Sequence, residues 1–144
     1  NCNNEINWER TRYVYTDCKI NIVTETQYYE SPGIISEKTL FAFLAQQLPI
    51  LIGYKGIIED CENLGFDMFR DIIDTSYDYA EDSIRWKQAL EKNADLLAGN
   101  DTGDLKYRLQ ANLDHALNLP KMFKENFVNK VRENFQYSDT SGPS

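Results

Sequence analysis

The sequence predicts an α/β fold, because two aliphatic runs flank a segment with helical periodicity. The first run, Ile-Asn-Ile-Val-Thr over residues 20–24, is nearly continuous in apolar residues, as in a strand buried on both faces. The second run is Ile-Leu-Ile over residues 50–52. Between them, Glu37 to Gln47 carries a broad apolar stripe typical of a helix packed on a sheet. Together these elements predict a parallel βαβ unit.

The end of the first strand and the start of the helix form the predicted functional centre. Glu25 follows the strand directly, and a loop with Ser-Pro-Gly turn chemistry leads to Ser36, a favourable helix N-cap. This cap places Glu37 and Lys38 in the first helical turn. Open parallel sheets bind ligands beyond the carboxyl ends of their strands, so these side chains are the first candidates for a binding site.

The chain after Gly53 is predicted to be mostly helical. A short helix begins near Ile57, residues 66–69 are either a third strand or irregular, and a long helix spans about 79–98. The predicted apolar face of that long helix consists of positions 80, 84, 90, 94 and 97. Two further helices are predicted over about 104–119 and 121–135. The chain is therefore predicted to consist of an α/β region (1–100), a helical appendage (101–137) and a disordered tail or cloning remnant (138–144).

Composition limits the class of partner. The 144 residues include nine Tyr and seven Phe, enough for a globular core. The net charge of −8 argues against nucleic acid or an anionic membrane as the main partner, since both require clustered Lys and Arg. A small anion remains compatible, because one helix N-terminus and a local cation can hold it.

The remaining sequence signals favour a cytoplasmic location. The three cysteines show no CxxC spacing, which favours reduced thiols. No apolar run approaches the roughly 18 residues needed for a transmembrane segment. Since the chain begins with Asn and not Met, we expect it to be part of a longer protein.

The pair Glu37-Lys38 admits two interpretations. Lys38 adds positive charge where the helix dipole is already positive, which is unfavourable unless a phosphate lies between the two. Glu37 has the reach to accept from a ribose hydroxyl pair. The alternative is that Ser36, Glu37 and Lys38 are an ordinary polar helix start in a non-catalytic Rossmann-like interaction module.

The larger pattern resembles a known enzyme family. A strand followed by Glu, then a loop, [Ser/Thr]-Glu-Lys, an apolar helix and Pro-[Ile/Val]-x-x-Gly is similar to the donor-binding segment of family-10 glycosyltransferases, the α1,3-fucosyltransferase-like enzymes. Residues 64–78 also look like a motif of uncharacterised glycosyltransferase-like proteins of bacteria and their viruses. The resemblance covers about residues 19–97. It implies half of a two-domain, Rossmann-like GT-B architecture that binds a nucleoside-diphosphate sugar as its donor substrate, without another cofactor.

The resemblance also implies roles for individual residues. It places Glu37 on the ribose, Lys38 on the pyrophosphate and Glu25 near the sugar. Ser36 and Gly53 complete the matching motif.

Tyr77 is a further candidate, either stacked on the base or lining the donor cleft, with Asp78 as the N-cap of the following helix. The chain departs from the family at Thr26, where Asn is usual. The chain has no clear match to the family's arginine that precedes the strand, for which Arg10 and Arg12 are candidates by position alone. The N-terminal domain that supplies the acceptor site and the catalytic base in the family has no counterpart in the sequence. We therefore assign no catalytic residue.

The sequence predicts a metal-independent site. No Asp-x-Asp occurs in the chain, and Lys38 at a helix N-terminus is the metal-free way to stabilise a leaving diphosphate. The single histidine, His115, has no triad partner by spacing and is expected on a helix surface. The sequence thus predicts a nucleotide-sugar-binding part of a glycosyltransferase that is inactive alone.

Overall fold

The computed structural model describes residues 18–29 and 35–120, which form a mixed α/β arrangement. The elements in chain order are strand β1 (Ile20–Thr24), helix α1 (Glu37–Leu44), strand β2 (Leu48–Ile52), helix α2 (Ile57–Asn63), a 3-10 helix (Ser76–Tyr79), helix α3 (Arg85–Lys92), helix α4 (Ala94–Leu97) and helix α5 (106–120). The predicted helix over 121–135 and the tail 138–144 lie outside the described residues. No helix within these ranges has the length and apolarity required to cross a membrane.

The predicted βαβ unit is confirmed. β1 and β2 are parallel, with Ile20 opposite Leu48 and Thr24 opposite Ile52. The ladder continues beyond β1, because the Glu25 N–H donates to the Ile52 carbonyl at 2.9 Å. Both strands therefore end at the same edge of the sheet, next to the start of α1.

The prediction that the first strand is buried on both faces is wrong. In β1 only Val23 is buried, and Ile22 keeps 43 % of its surface exposed. All five positions of β2 are buried instead. Helices α1, α2 and α3 all pack against β2, whereas of these three helices only α1 makes extensive contact with β1.

Side chains close the edge of β2 that faces away from β1. Pro49 has no N–H to offer a further strand. The Leu51 carbonyl accepts from the Tyr77 hydroxyl at 2.8 Å, and the Gly53 carbonyl accepts from Arg85 Nη1 at 2.6 Å. Because an added strand needs these groups for its own ladder, these contacts disfavour a further strand beside β2.

Two buried asparagines hold the irregular segment that follows α2. Asn112 of α5 donates to the Asp67 carbonyl at 2.8 Å and accepts from the Asp67 N–H at 2.9 Å. Asn93 does the same for Asp74, at 3.0 Å and 2.8 Å. The segment 66–69 has no regular structure, so of the two predicted alternatives the irregular one is confirmed.

The predicted long helix over 79–98 is broken, and its predicted apolar face is wrong. α3 ends at Lys92, and α4 begins after Asn93. The buried positions are Arg85, Ala89, Asn93 and Leu96, whereas Ile84 and Leu97 are 41 % and 38 % exposed. The buried polar groups are tolerated because backbone carbonyls from other segments accept their hydrogen bonds.

Helix α5 is fastened to the same irregular segment by charge and by ring packing. Arg108 Nε lies 2.6 Å from the Asp67 carboxylate, and this contact lowers the pKa of Asp67. His115 is half-buried, with Nε2 2.5 Å from the Leu64 carbonyl and its ring edge-on to Phe66. His115 is thus a packing residue of this contact, which corrects the expectation that it lies on a helix surface.

Candidate functional site

Glu25 stands at the centre of the edge where β1 and β2 end. Its side chain is 6 % exposed. Oε1 accepts from the Ser36 N–H at 3.1 Å and from the Thr39 hydroxyl, so it fixes the first turn of α1 to the end of β1. Oε2 is buried and has no hydrogen-bond partner among the residues that the structure describes. A buried carboxylate oxygen without a donor is costly, and a ligand hydroxyl or N–H would satisfy it.

Lys38 brings a positive charge to the same helix start. Its ammonium lies 3.3 Å from the Thr26 hydroxyl, over the loop that follows β1. Its backbone N–H is capped by the Ser36 hydroxyl at 3.3 Å, as predicted for an N-cap. Glu37 is exposed on the same turn. The fold thus brings together the carboxylate of Glu25, the cap and the ammonium of Lys38.

Gly53 lets the two strand ends approach each other. A Cβ at this position would lie 2.8 Å from Ile57 Cδ1 and 3.3 Å from Glu25 Cβ, closer than ordinary packing permits. A side chain here would therefore displace Glu25 or the start of α2. Gly53 belongs to the site through this close approach beside Glu25, in addition to its carbonyl contact with Arg85.

Tyr77, predicted to touch the ligand, lies in the core. The side chain is fully buried, and its hydroxyl donates to the Leu51 carbonyl at 2.8 Å. Burial raises the pKa of the phenol above its ordinary value. A contact with a ligand would require this side chain to leave the core.

Arg85 organises the site, although its pattern in the sequence did not single it out. The fully buried guanidinium donates from Nη1 to the Gly53 carbonyl at 2.6 Å and to the Tyr28 carbonyl at 3.2 Å. Nε reaches the Ala80 carbonyl at 3.2 Å, and Nη2 pairs with Asp82. One side chain therefore ties the loop after β1 to the loop after β2.

Asp78, predicted as the N-cap of the helix that follows it, caps a different helix. It lies inside the 3-10 helix, is 2 % exposed, and accepts from the Ile58 N–H in the first turn of α2 at 3.3 Å. Its Oδ1 has no partner among the described residues. Burial raises the pKa of Asp78 to about 6.

This buried carboxyl gives a pH-dependent stability. Because its folded-state pKa of about 6 exceeds the ordinary 3.8, the folded state holds the proton more tightly. The contribution of Asp78 to stability therefore falls as the pH rises from about 4 to about 6, by at most ~3 kcal/mol. In Asp78→Asn this dependence should vanish, because the amide does not titrate. The amide oxygen can still accept from the Ile58 N–H, so the cap of α2 is kept.

Urea unfolding of both proteins between about pH 4 and about pH 7.5 measures the effect. The difference between variant and wild type should change across this interval in favour of the variant. The ion-paired Asp67 and Asp71 have lowered pKa values, so they titrate below it. A difference that is constant across the interval would show that Asp78 has an ordinary pKa.

Metal-ligating side chains do not cluster in the described part of the chain, and of its two free cysteines Cys18 is exposed and Cys61 is buried. Within residues 18–29 and 35–120, no group of three or more His, Cys, Asp or Glu side chains is arranged to hold a metal ion. Cys61 is fully buried, and burial raises its thiol pKa to about 12, so it is unreactive. Metal independence stays a prediction that rests on Lys38 and on the lack of Asp-x-Asp in the sequence.

A competing location for an anion lies at the opposite end of the strands. A pocket of about 330 Å³ there is lined by Lys19, Leu48 and Lys106, among others. Its lysines are exposed. None of its lining residues has a buried side-chain atom that lacks a hydrogen-bond partner. The edge beside Glu25 is therefore the better candidate.

Comparison of the chain with protein-family models, curated proteins and solved structures finds no match. The chemistry of the edge beside Glu25, together with the motif resemblance, carries the functional proposal.

Proposed function

We propose that this chain binds a nucleoside diphosphate at the carboxyl ends of β1 and β2, as the donor-binding half of a glycosyltransferase. The observation that carries the proposal is the buried, unpartnered Oε2 of Glu25 beside a helix start that bears Lys38. The Oε2 atom of Glu25 requires a hydrogen-bond donor, and the ammonium of Lys38 attracts an anion. A nucleoside-diphosphate sugar supplies both, through its hydroxyls and its phosphates.

The roles of the residues are those that the family resemblance implies, and their chemistry is compatible with them. Lys38 and the first-turn N–H groups of α1, which lack intrahelical acceptors, hold the diphosphate. Glu25 accepts from a hydroxyl at the sugar end, and the exposed Glu37 accepts from the ribose. In glycosyl transfer, negative charge develops on the leaving diphosphate, and the ammonium of Lys38 stabilises it there without a metal.

The rest of the reaction belongs to a longer protein in this proposal. The acceptor site and the catalytic base come from a second half of a GT-B architecture, so this chain alone binds the donor and transfers nothing. In the longer protein, further strands of the sheet would pair with β1, because side chains occupy the edge of β2 that faces away from β1.

Lys38→Ala tests the anion site. The substitution should weaken binding of GDP and UDP about 10-fold, the order expected for one charge-assisted hydrogen bond. Isothermal titration calorimetry without divalent cations measures the effect. Lys87→Ala is the matched control, because Lys87 is an exposed α3 lysine whose ammonium lies 3.7 Å from the Glu91 carboxylate. It should bind like the wild type.

Two results would count against the proposal. If Lys38→Ala and Lys87→Ala bind equally well, the phosphates lie elsewhere. If the wild type binds neither nucleotide at millimolar concentration, the alternative of a non-catalytic interaction module is favoured. In that case the bonds from Ser36 and Thr39 to Glu25 serve only to fix α1.

A further inference from the structure

Tyr29 is an exposed aromatic residue at the same edge of the sheet as Glu25. It lies in the loop after β1, four residues beyond Glu25, and 79 % of its surface is exposed. Its ring meets the ring of Tyr28 edge-on, with the centroids 5.1 Å apart and the planes at 78°. An exposed ring in a loop is ordinary unless its support is rigid.

The neighbour of Tyr29 in this ring pair, Tyr28, is fixed by three contacts. Its ring lies under the guanidinium of Arg85, with Cζ 4.7 Å from the ring centroid. Its hydroxyl donates to the Asp82 carbonyl at 2.6 Å, and its own carbonyl accepts from Arg85 Nη1 at 3.2 Å. Since Arg85 is fully buried, Tyr28 gives Tyr29 a fixed neighbour.

The same contacts place the aromatic pair at the candidate site. The Nη1 atom that binds the Tyr28 carbonyl also binds the Gly53 carbonyl, at 2.6 Å. Gly53 in turn abuts Glu25, and Thr26 of the Tyr29 loop contacts Lys38. A carboxylate, an ammonium and an exposed aromatic face therefore share one edge.

We propose that Tyr29 is the stacking platform for the nucleobase, which rests on the function proposed above. Lys38 holds the diphosphate at one end of the loop, and the ring of Tyr29 stands three residues beyond Thr26. The exposed face of a supported tyrosine can stack on any base, because every base has a π-face. Such stacking selects by ring area, so purine nucleotides bind more tightly than pyrimidine nucleotides.

The stacking is tested with two variants of Tyr29 and one control variant. Tyr29→Ala should weaken GDP binding about 10-fold or more, as expected for one lost base stack. Binding of inorganic pyrophosphate, which has no base, should not change. Tyr29→Phe keeps the ring and should bind GDP like the wild type. Tyr107→Ala is the control, because Tyr107 is 84 % exposed on α5 and should have no effect.

A spectroscopic readout separates stacking from a structural role. In ligand-observed NMR the guanine H8 resonance should move upfield with wild type and Tyr29→Phe, owing to the ring current, and should not move with Tyr29→Ala. Stacking is refuted if Tyr29→Ala weakens pyrophosphate and GDP equally. It is also refuted if wild type binds GDP no better than pyrophosphate, and the anion site then stands. If wild type binds neither ligand, the proposed function and the stacking fall together.

Discussion

Replacing Arg85 with methionine is expected to lower the free energy of unfolding by about 3–5 kcal/mol. The guanidinium is fully buried and donates to the carbonyls of Gly53, Tyr28 and Ala80. Each carbonyl left without a donor costs roughly 1–3 kcal/mol, and the apolar replacement offsets part of the sum. Urea unfolding measures the loss.

Two companion variants separate burial from charge. Lys87→Met removes an exposed positive charge from the same helix and should change stability by less than about 0.5 kcal/mol. Arg85→Lys keeps the charge, but a single ammonium cannot reproduce the fork that joins two loops, so its stability should fall between wild type and Arg85→Met. A decrease below about 1 kcal/mol in the free energy of unfolding of Arg85→Met would contradict the inference that this side chain holds the two loops together.

Truncating Tyr77 is the second substitution with a large expected effect. Tyr77→Ala removes a fully buried ring and should cost about 3–5 kcal/mol. Tyr77→Phe only deprives the Leu51 carbonyl of its donor and should cost about 1–2 kcal/mol. Since the ring lies in the core, Tyr77→Phe should bind GDP as tightly as wild type does at a temperature where both are folded.

The opposite result for Tyr77 would be equally informative. If Tyr77→Phe kept the stability of the wild type but lost GDP affinity, the hydroxyl would contact the ligand, and Tyr77 would line the donor cleft, which is one of the two roles predicted from the sequence. Thermal unfolding and calorimetry on the same sample distinguish the two cases. Phe43→Ala is a useful reference for the stability scale, because Phe43 is also buried and stacks on Phe66 at 4.1 Å, away from the proposed ligand.

The βαβ unit was predictable because its signals are local. Ser36 caps α1 through an atom two residues away, and the apolar stripe that packs this helix lies within one short segment. The burial of β1 was not predictable, because it depends on which helices cover each strand. Ile22 has the same side chain as Ile50, yet Ile50 is fully buried and Ile22 is 43 % exposed.

The buried face of α3 shows why periodicity failed further along the chain. Arg85 and Asn93 are polar, so an apolar pattern assigns their face to solvent. Their partners are backbone groups far away in sequence, the Gly53 carbonyl for Arg85 and the N–H and carbonyl of Asp74 for Asn93. No property of α3 alone indicates those partners.

The candidate site divides in the same way. Parallel topology alone predicts that Glu25 meets the start of α1, and Glu25, Ser36 and Lys38 do converge there. The burial of Tyr77 and the support beneath Tyr29 depend on long-range contacts instead. The sequence therefore predicted that Glu25, Ser36 and Lys38 converge, and it indicated neither the burial of Tyr77 nor the contacts beneath Tyr29.

The most direct test is amide chemical-shift mapping of the wild-type chain during titration with GDP. The proposal predicts saturable shifts for residues 24–29, 36–39 and 53–56, the segments at the edge beside Glu25, and no comparable shifts at Lys19 or Lys106. Shifts confined to the pocket lined by Lys19 and Lys106, or no shifts at millimolar GDP, would contradict it.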